Sequence, residues 1–187
     1  MLEEWAADLT YRFYDLWREK YSANEEGFQT FAGQVLFRPK LLIISENPGS
    51  RKDRFRDYLA HLEKHQFFPE SYVPYSAPYH VQRRLALWMN DFLGESLLSQ
   101  SVATWFCFIR TKSLRELNPS MISDCQPFLR EMIYKIEPQK TLLVGKAAWS
   151  VKDVCRPSFT MMSPYYHFTR DQIQSLKQEV RKFVSGL

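Results

Sequence analysis

Four short apolar runs alternate with longer stretches whose apolar residues recur every three or four positions, and this alternation narrows the fold more than any other feature. The runs are LLII at 41–44, SVATWFCFIRT at 101–111, KTLLVG at 140–145 and SFTMMS at 158–163. A continuous apolar run describes a strand buried on both faces, where a half-exposed strand would alternate. Strands separated by helices pair in parallel, because a crossover helix returns the chain to the same end of the sheet. The expectation is an α/β protein with three layers, α/β/α, around a central, mostly parallel four-stranded sheet.

The helices that would cover this sheet are legible in the spacing. Leu2, Trp5, Leu9, Phe13, Leu16 and Trp17 predict an N-terminal helix over 2–22 packed on the core. Phe28 and Phe31 fall in a linker or a second helical turn. Phe55, Tyr58, Leu59 and Leu62 predict a helix over 52–65. A proline- and aromatic-rich stretch, FFPESYVPYSAPY, follows, and a helix from Pro78 to Gly94 carries Val81, Leu85, Trp88, Met89 and Phe92 inward. Asn118-Pro119 reads as a cap and first-turn proline for a helix with Ile122, Cys125, Phe128, Leu129, Met132, Ile133 and Ile136 on one stripe. KAAWSVKDV continues the third run as a short helix. Thr169 and Gln172 form a capping box ahead of a last helix with Ile173, Leu176, Val180 and Phe183 on its face. A chain of 187 residues suits one domain, 1–187, large enough to bury a core.

Composition excludes several classes. The three cysteines, Cys107, Cys125 and Cys155, include no CxxC pair, which argues against a disulfide framework, a zinc ribbon or a four-cysteine cluster. Free thiols in a reducing cytoplasm are the simplest account. The acidic start MLEEWAADL is unlike a signal peptide, and no apolar run approaches the ~20 residues that span a bilayer. A soluble cytoplasmic monomer, with no membrane contact, is expected. His61 and His65 stand four apart in HLEKH, but no glutamate follows the first histidine and no third ligand is evident, so a surface pair is the simpler reading. Gly145-Lys146 lacks the upstream glycine of a phosphate loop, and neither GxSxG nor GxGxxG occurs. No metal and no cofactor are expected.

In an open parallel sheet, ligands bind beyond the carboxyl ends of the strands. Those ends carry Ser45-Glu46-Asn47-Pro48-Gly49, Arg110-Thr111-Lys112-Ser113, Gly145-Lys146 and the segment Ser163 to Thr169. Pro48 has no N–H to continue a ladder, and Gly49 permits a sharp turn or a close ligand. An ordinary strand-to-helix turn would also favour Asn-Pro-Gly. Arg51, Lys52, Arg54 and Arg56 follow the first loop, and Arg110, Lys112 and Arg115 cluster at the second. A net charge of +4 and 16% aromatic residues suit a polyanionic partner with stackable rings. A solvated helix face would equally accommodate the first cluster.

LLIISENPG, followed by DCQPFLREMIYKIEPQKTLLVGKAAWSV, resembles the uracil-DNA glycosylase superfamily. The likeness rests on an apolar strand ending in an N-P-G motif. It also rests on a helix with Cys125, Pro127, Phe128, Leu129, Ile133, Ile136 and Pro138, followed by Leu142 to Val144, Gly145 and Ala148. It covers roughly residues 35 to 185. The resemblance implies an enzyme that flips a damaged base out of DNA and hydrolyses its bond to deoxyribose. Asn47 takes the water-orienting position, with Glu46 a second candidate for activating water, and His167 takes the position that stabilises the departing base. His167 lacks the proline that usually follows, and Ser163-Pro164 offers a competing alignment without a histidine. Trp105 stands where many members carry a base-reading asparagine, and an indole cannot supply an amide's paired donor and acceptor. Pro48, Gly49, Phe55, Trp105, Ser163 and Tyr165 are the candidate base-pocket residues. Arg51, Lys52, Arg54, Arg110, Lys112 and Lys146 are the candidate DNA-phosphate contacts. The partner implied is single- or double-stranded DNA, or a nucleotide. The alternative is an inactive or redirected member that keeps the fold and binds nucleic acid or a nucleotide.

Overall fold

The computed structural model describes residues 2–31, 35–49, 59–60, 90–155, 157–162 and 169–186. Four strands form one sheet: β1 (Leu41–Ser45), β2 (Ser101–Trp105), β3 (Lys140–Val144) and β4 (Ser158–Met161). Their order is β2-β1-β3-β4, and every pairing is parallel. The longer helices are α1 (Leu2–Lys20), α3 (Pro119–Ile136) and α4 (Arg170–Val184), with a single turn, α2 (Glu95–Leu98), ahead of β2. Short 3-10 turns cover Leu114–Glu116 and Ala147–Val151.

The continuous apolar run of β1 has the physical reason expected of it, since all five of its residues are buried. Leu42 and Ile44 join a core with Ala6, Leu9, Phe13 and Trp17 of α1 and Cys125, Leu129 and Met132 of α3. Leu41 and Ile43 face the opposite way, into a second core with Phe92 and Val180, against which Ile173, Leu176 and Phe183 of α4 pack. The sheet is therefore the middle of three layers. Phe13 is the aromatic centre of the first core, edge-on to Phe28, Phe108 and Phe128 at 5.1–5.2 Å between centroids. Pairs of this geometry contribute roughly 0.5–1.5 kcal/mol beyond the area they bury.

Both predicted caps form. The Asn118 side chain accepts from Met121 N with Pro119 in the first turn, and Thr169 and Gln172 exchange both bonds of the capping box. The short helix expected in KAAWSVKDV is a 3-10 helix over Ala147–Val151.

Two expectations need correction. The second apolar run is a strand only over Ser101–Trp105, although its hydrophobic character continues to Ile109. Its partner β1 ends at Ser45, and the chain then leaves the parallel ladder and pairs antiparallel with the segment before β1, through Phe28 and Ile109. For the same reason Phe28 and Phe31 are neither linker nor helix. They bridge to Ile109 and Thr104, and so cover the β2 edge of the sheet. Of the helix predicted over 52–65, only residues 59–60 are described, and they are helical. Residues 90–93 are helical within the segment predicted from Pro78 to Gly94.

Candidate active site

Strand order decides where a site can form. From β1 the chain crosses to β2 on one side, whereas β3 and β4 lie on the other. The order thus reverses between β1 and β3, and a crevice opens at the carboxyl ends of strands at such a point. Glu46 and Asn47 leave β1 at this place.

The backbone there is held beyond the formal strand. Phe106 N donates to Ser45 O at 2.6 Å and Cys107 N to Glu46 O at 3.0 Å, so the chain leaving β2 stays bonded to the exit of β1 one residue past Ser45. On the other side Gly145 ends β3 with φ +90°, a backbone open to glycine and strained for other residues. A Cβ at this position would overlap Cγ and Cδ of Glu46 and lie 2.7 Å from its Oε1. The Glu46 carboxylate therefore rests over the bare Gly145 backbone, across the point where strand order reverses. At Gly49 (φ +68°) an added Cβ would meet nothing, so the glycine is required there by the left-handed turn alone.

Asn47 is fixed from the β2 side. Its Nδ2 donates to Thr111 Oγ1 at 2.7 Å, and Thr111 Oγ1 donates to Ser113 O at 2.9 Å. Asn47 is half-buried, and among the described residues nothing donates to its Oδ1. That oxygen can accept a hydrogen bond from water.

Arg110 is a correction. The sequence placed it on a phosphate-contacting rim, but it is 1% exposed. Its Nη1 donates to Gly49 O at 3.2 Å and Pro48 O at 3.4 Å, and its Nη2 donates to Gln29 Oε1 at 2.6 Å. Gln29, also buried, bonds through its backbone N to Phe108 O. The guanidinium thus fastens the loop after β1 to the edge segment at 27–31. Its fork of donors serves the oxygens of Pro48, Gly49 and Gln29 together.

Trp105 sits in register with Ser45 and is 4% exposed. Its indole Nε1 has no hydrogen-bond partner among the described residues. Lys112 and Lys146 are exposed at the exits of β2 and β3. Cys107 and Cys125 lie buried behind the loop as free thiols, 3.6 Å apart. Their mutual hydrogen bond holds Cys107 below the usual thiol range, whereas burial pushes Cys125 well up. Arg51, Lys52, Arg54, Phe55, Ser163, Tyr165 and His167 lie outside the described residues, as do His61 and His65. Among the described residues no three histidine, cysteine or acidic side chains cluster to hold a metal.

The strand exit with its Asn-Pro-Gly, set where the order of an all-parallel sheet reverses, agrees with one family comparison. Residues 32–183 match the uracil DNA glycosylase superfamily. The chain belongs to that superfamily. The match spans the whole sheet and both α3 and nearly all of α4, and α1 precedes it. No curated protein matches the chain.

Within this superfamily member, sequence reading placed Glu46, Asn47, Pro48 and Gly49 at the exit of β1, where they stand, but missed how they are held. Thr111 stood in a stretch already marked as a strand exit, yet nothing in its spacing pointed at Asn47. Gly145 read as a strand terminator, with no hint that Glu46 needs its missing side chain. Gln29 gave no signal, because its partner Arg110 lies 81 residues away.

Proposed function

We propose that this chain is a DNA glycosylase that hydrolyses the N-glycosidic bond of uracil or another damaged base, as in base-excision repair. One observation carries the reading: the Asn47 amide nitrogen is engaged by Thr111, and among the described residues nothing donates to its carbonyl oxygen, which can accept from a water at the mouth of β1. In the reaction, that water adds its oxygen to the sugar C1′ as the C1′–N bond breaks. The electron pair of the broken bond leaves with the base, and the water gives up a proton. An amide orients water without being a strong base, so Asn47 suffices when the base departs readily. Glu46, which rests on the Gly145 backbone, is proposed to receive the proton. His167 is proposed to stabilise charge on the leaving base. Lys112 and Lys146 are proposed to contact phosphates, together with Arg51, Lys52 and Arg54.

A second reading, a member that binds nucleic acid without excising uracil, draws on Trp105. An indole donates once and accepts nothing, so it cannot read the edge of uracil as an amide does. Oligonucleotides carrying uracil, hypoxanthine or mismatched bases, treated with the protein and then with alkali, separate the two. Strand scission that falls about 100-fold or more in Asn47→Ala supports the glycosylase. Salt-sensitive binding without scission on any substrate supports the second reading, and the first then fails.

A further inference from the structure

We propose that Thr111 is a positioning residue that sets which end of the Asn47 amide faces water. The inference rests on the role given to Asn47 above. A threonine hydroxyl has one proton and two lone pairs. The carbonyl of Ser113 can only accept, so the proton of Thr111 Oγ1 is committed to it at 2.9 Å. A lone pair is then what Thr111 presents to Asn47, 2.7 Å away, and only the amide nitrogen can donate into it. The reversed amide would set two acceptors against each other. Thr111 is 3% exposed, so no solvent exchange relaxes this constraint.

The consequence is chemical. With Oδ1 as the available atom, a bound water gives a hydrogen to Asn47 and keeps a lone pair for an electrophilic carbon. With Nδ2 available instead, the water would give one of its two lone pairs to the amide and hand it no hydrogen, leaving its oxygen less nucleophilic and its attack undirected. Thr111 thus selects water as attacking group through Asn47 without touching the substrate.

The test compares kcat and KM of the whole protein and of Thr111→Val, Thr111→Ser, Asn47→Ala and Asn47→Ala/Thr111→Val on the oligonucleotide the unaltered protein cleaves. Thr111→Val is expected to lower kcat about tenfold, with KM unchanged, and Thr111→Ser to restore it. In the Asn47→Ala background the same change should cost nothing further. An unaltered kcat in Thr111→Val, or an equal further loss without Asn47, would overturn the assignment. Thr111→Ala replaces the valine variant if that variant does not fold. A second measurement needs no activity: the side-chain amide resonances of Asn47, identified by their loss in Asn47→Ala. They should shift in Thr111→Val and return in Thr111→Ser, and resonances that do not move overturn the inference. If the unaltered protein excises no base but these resonances respond, the clamp stands and the glycosylase reading alone fails.

Discussion

At Gly145 an ordinary side chain has no room, because the Glu46 carboxylate already occupies the space above it. The left-handed backbone adds a second constraint at the same residue. Gly145→Ala should therefore lower stability by about 1–3 kcal/mol and push Glu46 off the crevice. In a chain of this size that is a fall of several degrees in Tm, at roughly 2–4 °C per kcal/mol. An unchanged melting temperature would mean that Glu46 moves aside freely. Arg110 illustrates the opposite relation between charge and location. Its guanidinium is surrounded by acceptors from the loop it steadies, so it acts on the site through Pro48 and Gly49.

Helix α1 is attached to α3 by more than its apolar stripe. Glu131 of α3 accepts from Trp5 Nε1 at 2.9 Å and from Arg12 at 2.6 Å, while Asp124 accepts from Tyr21 and Lys20. The hydrogen bond from Arg12 holds the Glu131 carboxyl below the usual range. A lowered folded-state value means stability that is fully present above the ordinary carboxylate range, near pH 4.3, and lost as pH falls through the lowered value. Arg12 is 44% exposed and solvent screens the pair. Glu131→Gln is expected to cost under about 1 kcal/mol at pH 7. Denaturant midpoints of the two proteins should converge once the pH is below the Glu131 value. A gap that persists there would assign the effect to packing.

Across the whole molecule, the sheet distributes charge into two roles. Lys112 and Lys146 stand in solvent at the exits of β2 and β3, whereas Arg110 is enclosed between the same loops. Lys112→Ala and Lys146→Ala should each leave Tm within the scatter of surface changes and reduce the salt slope of DNA binding by about one. Arg110→Ala should do the reverse, lowering Tm by several degrees, since it removes a buried guanidinium and its hydrogen bonds to Pro48, Gly49 and Gln29. Titrations across a salt series, beside melting curves, check both. A salt slope that responds to Arg110 but not to the lysines would return Arg110 to the phosphate rim.

The architecture was legible because its signals are local. Burial on both faces demands an unbroken apolar run, and β1 displays one. A helix start needs acceptors for its free N–H groups, and Asn118 and Thr169 announce themselves by type and spacing. Asn47 and Glu46 were legible for a related reason: a strand exit marked by Asn-Pro-Gly must display its polar residues at the sheet edge. What holds them was not. Arg110 and Lys112 are the same kind of residue to a reader of composition, and only the closing of the 27–31 segment over the β2 extension buries one and leaves the other in water. Thr111 meets Asn47, and Gly145 meets Glu46, across 64 and 99 residues of chain, because β1 lies between β2 and β3. Hydrophobic pattern and capping chemistry act between near neighbours and are written along the chain. Which loops meet depends on strand order, a property of the assembled sheet, and the chemistry available to Asn47 follows from that meeting.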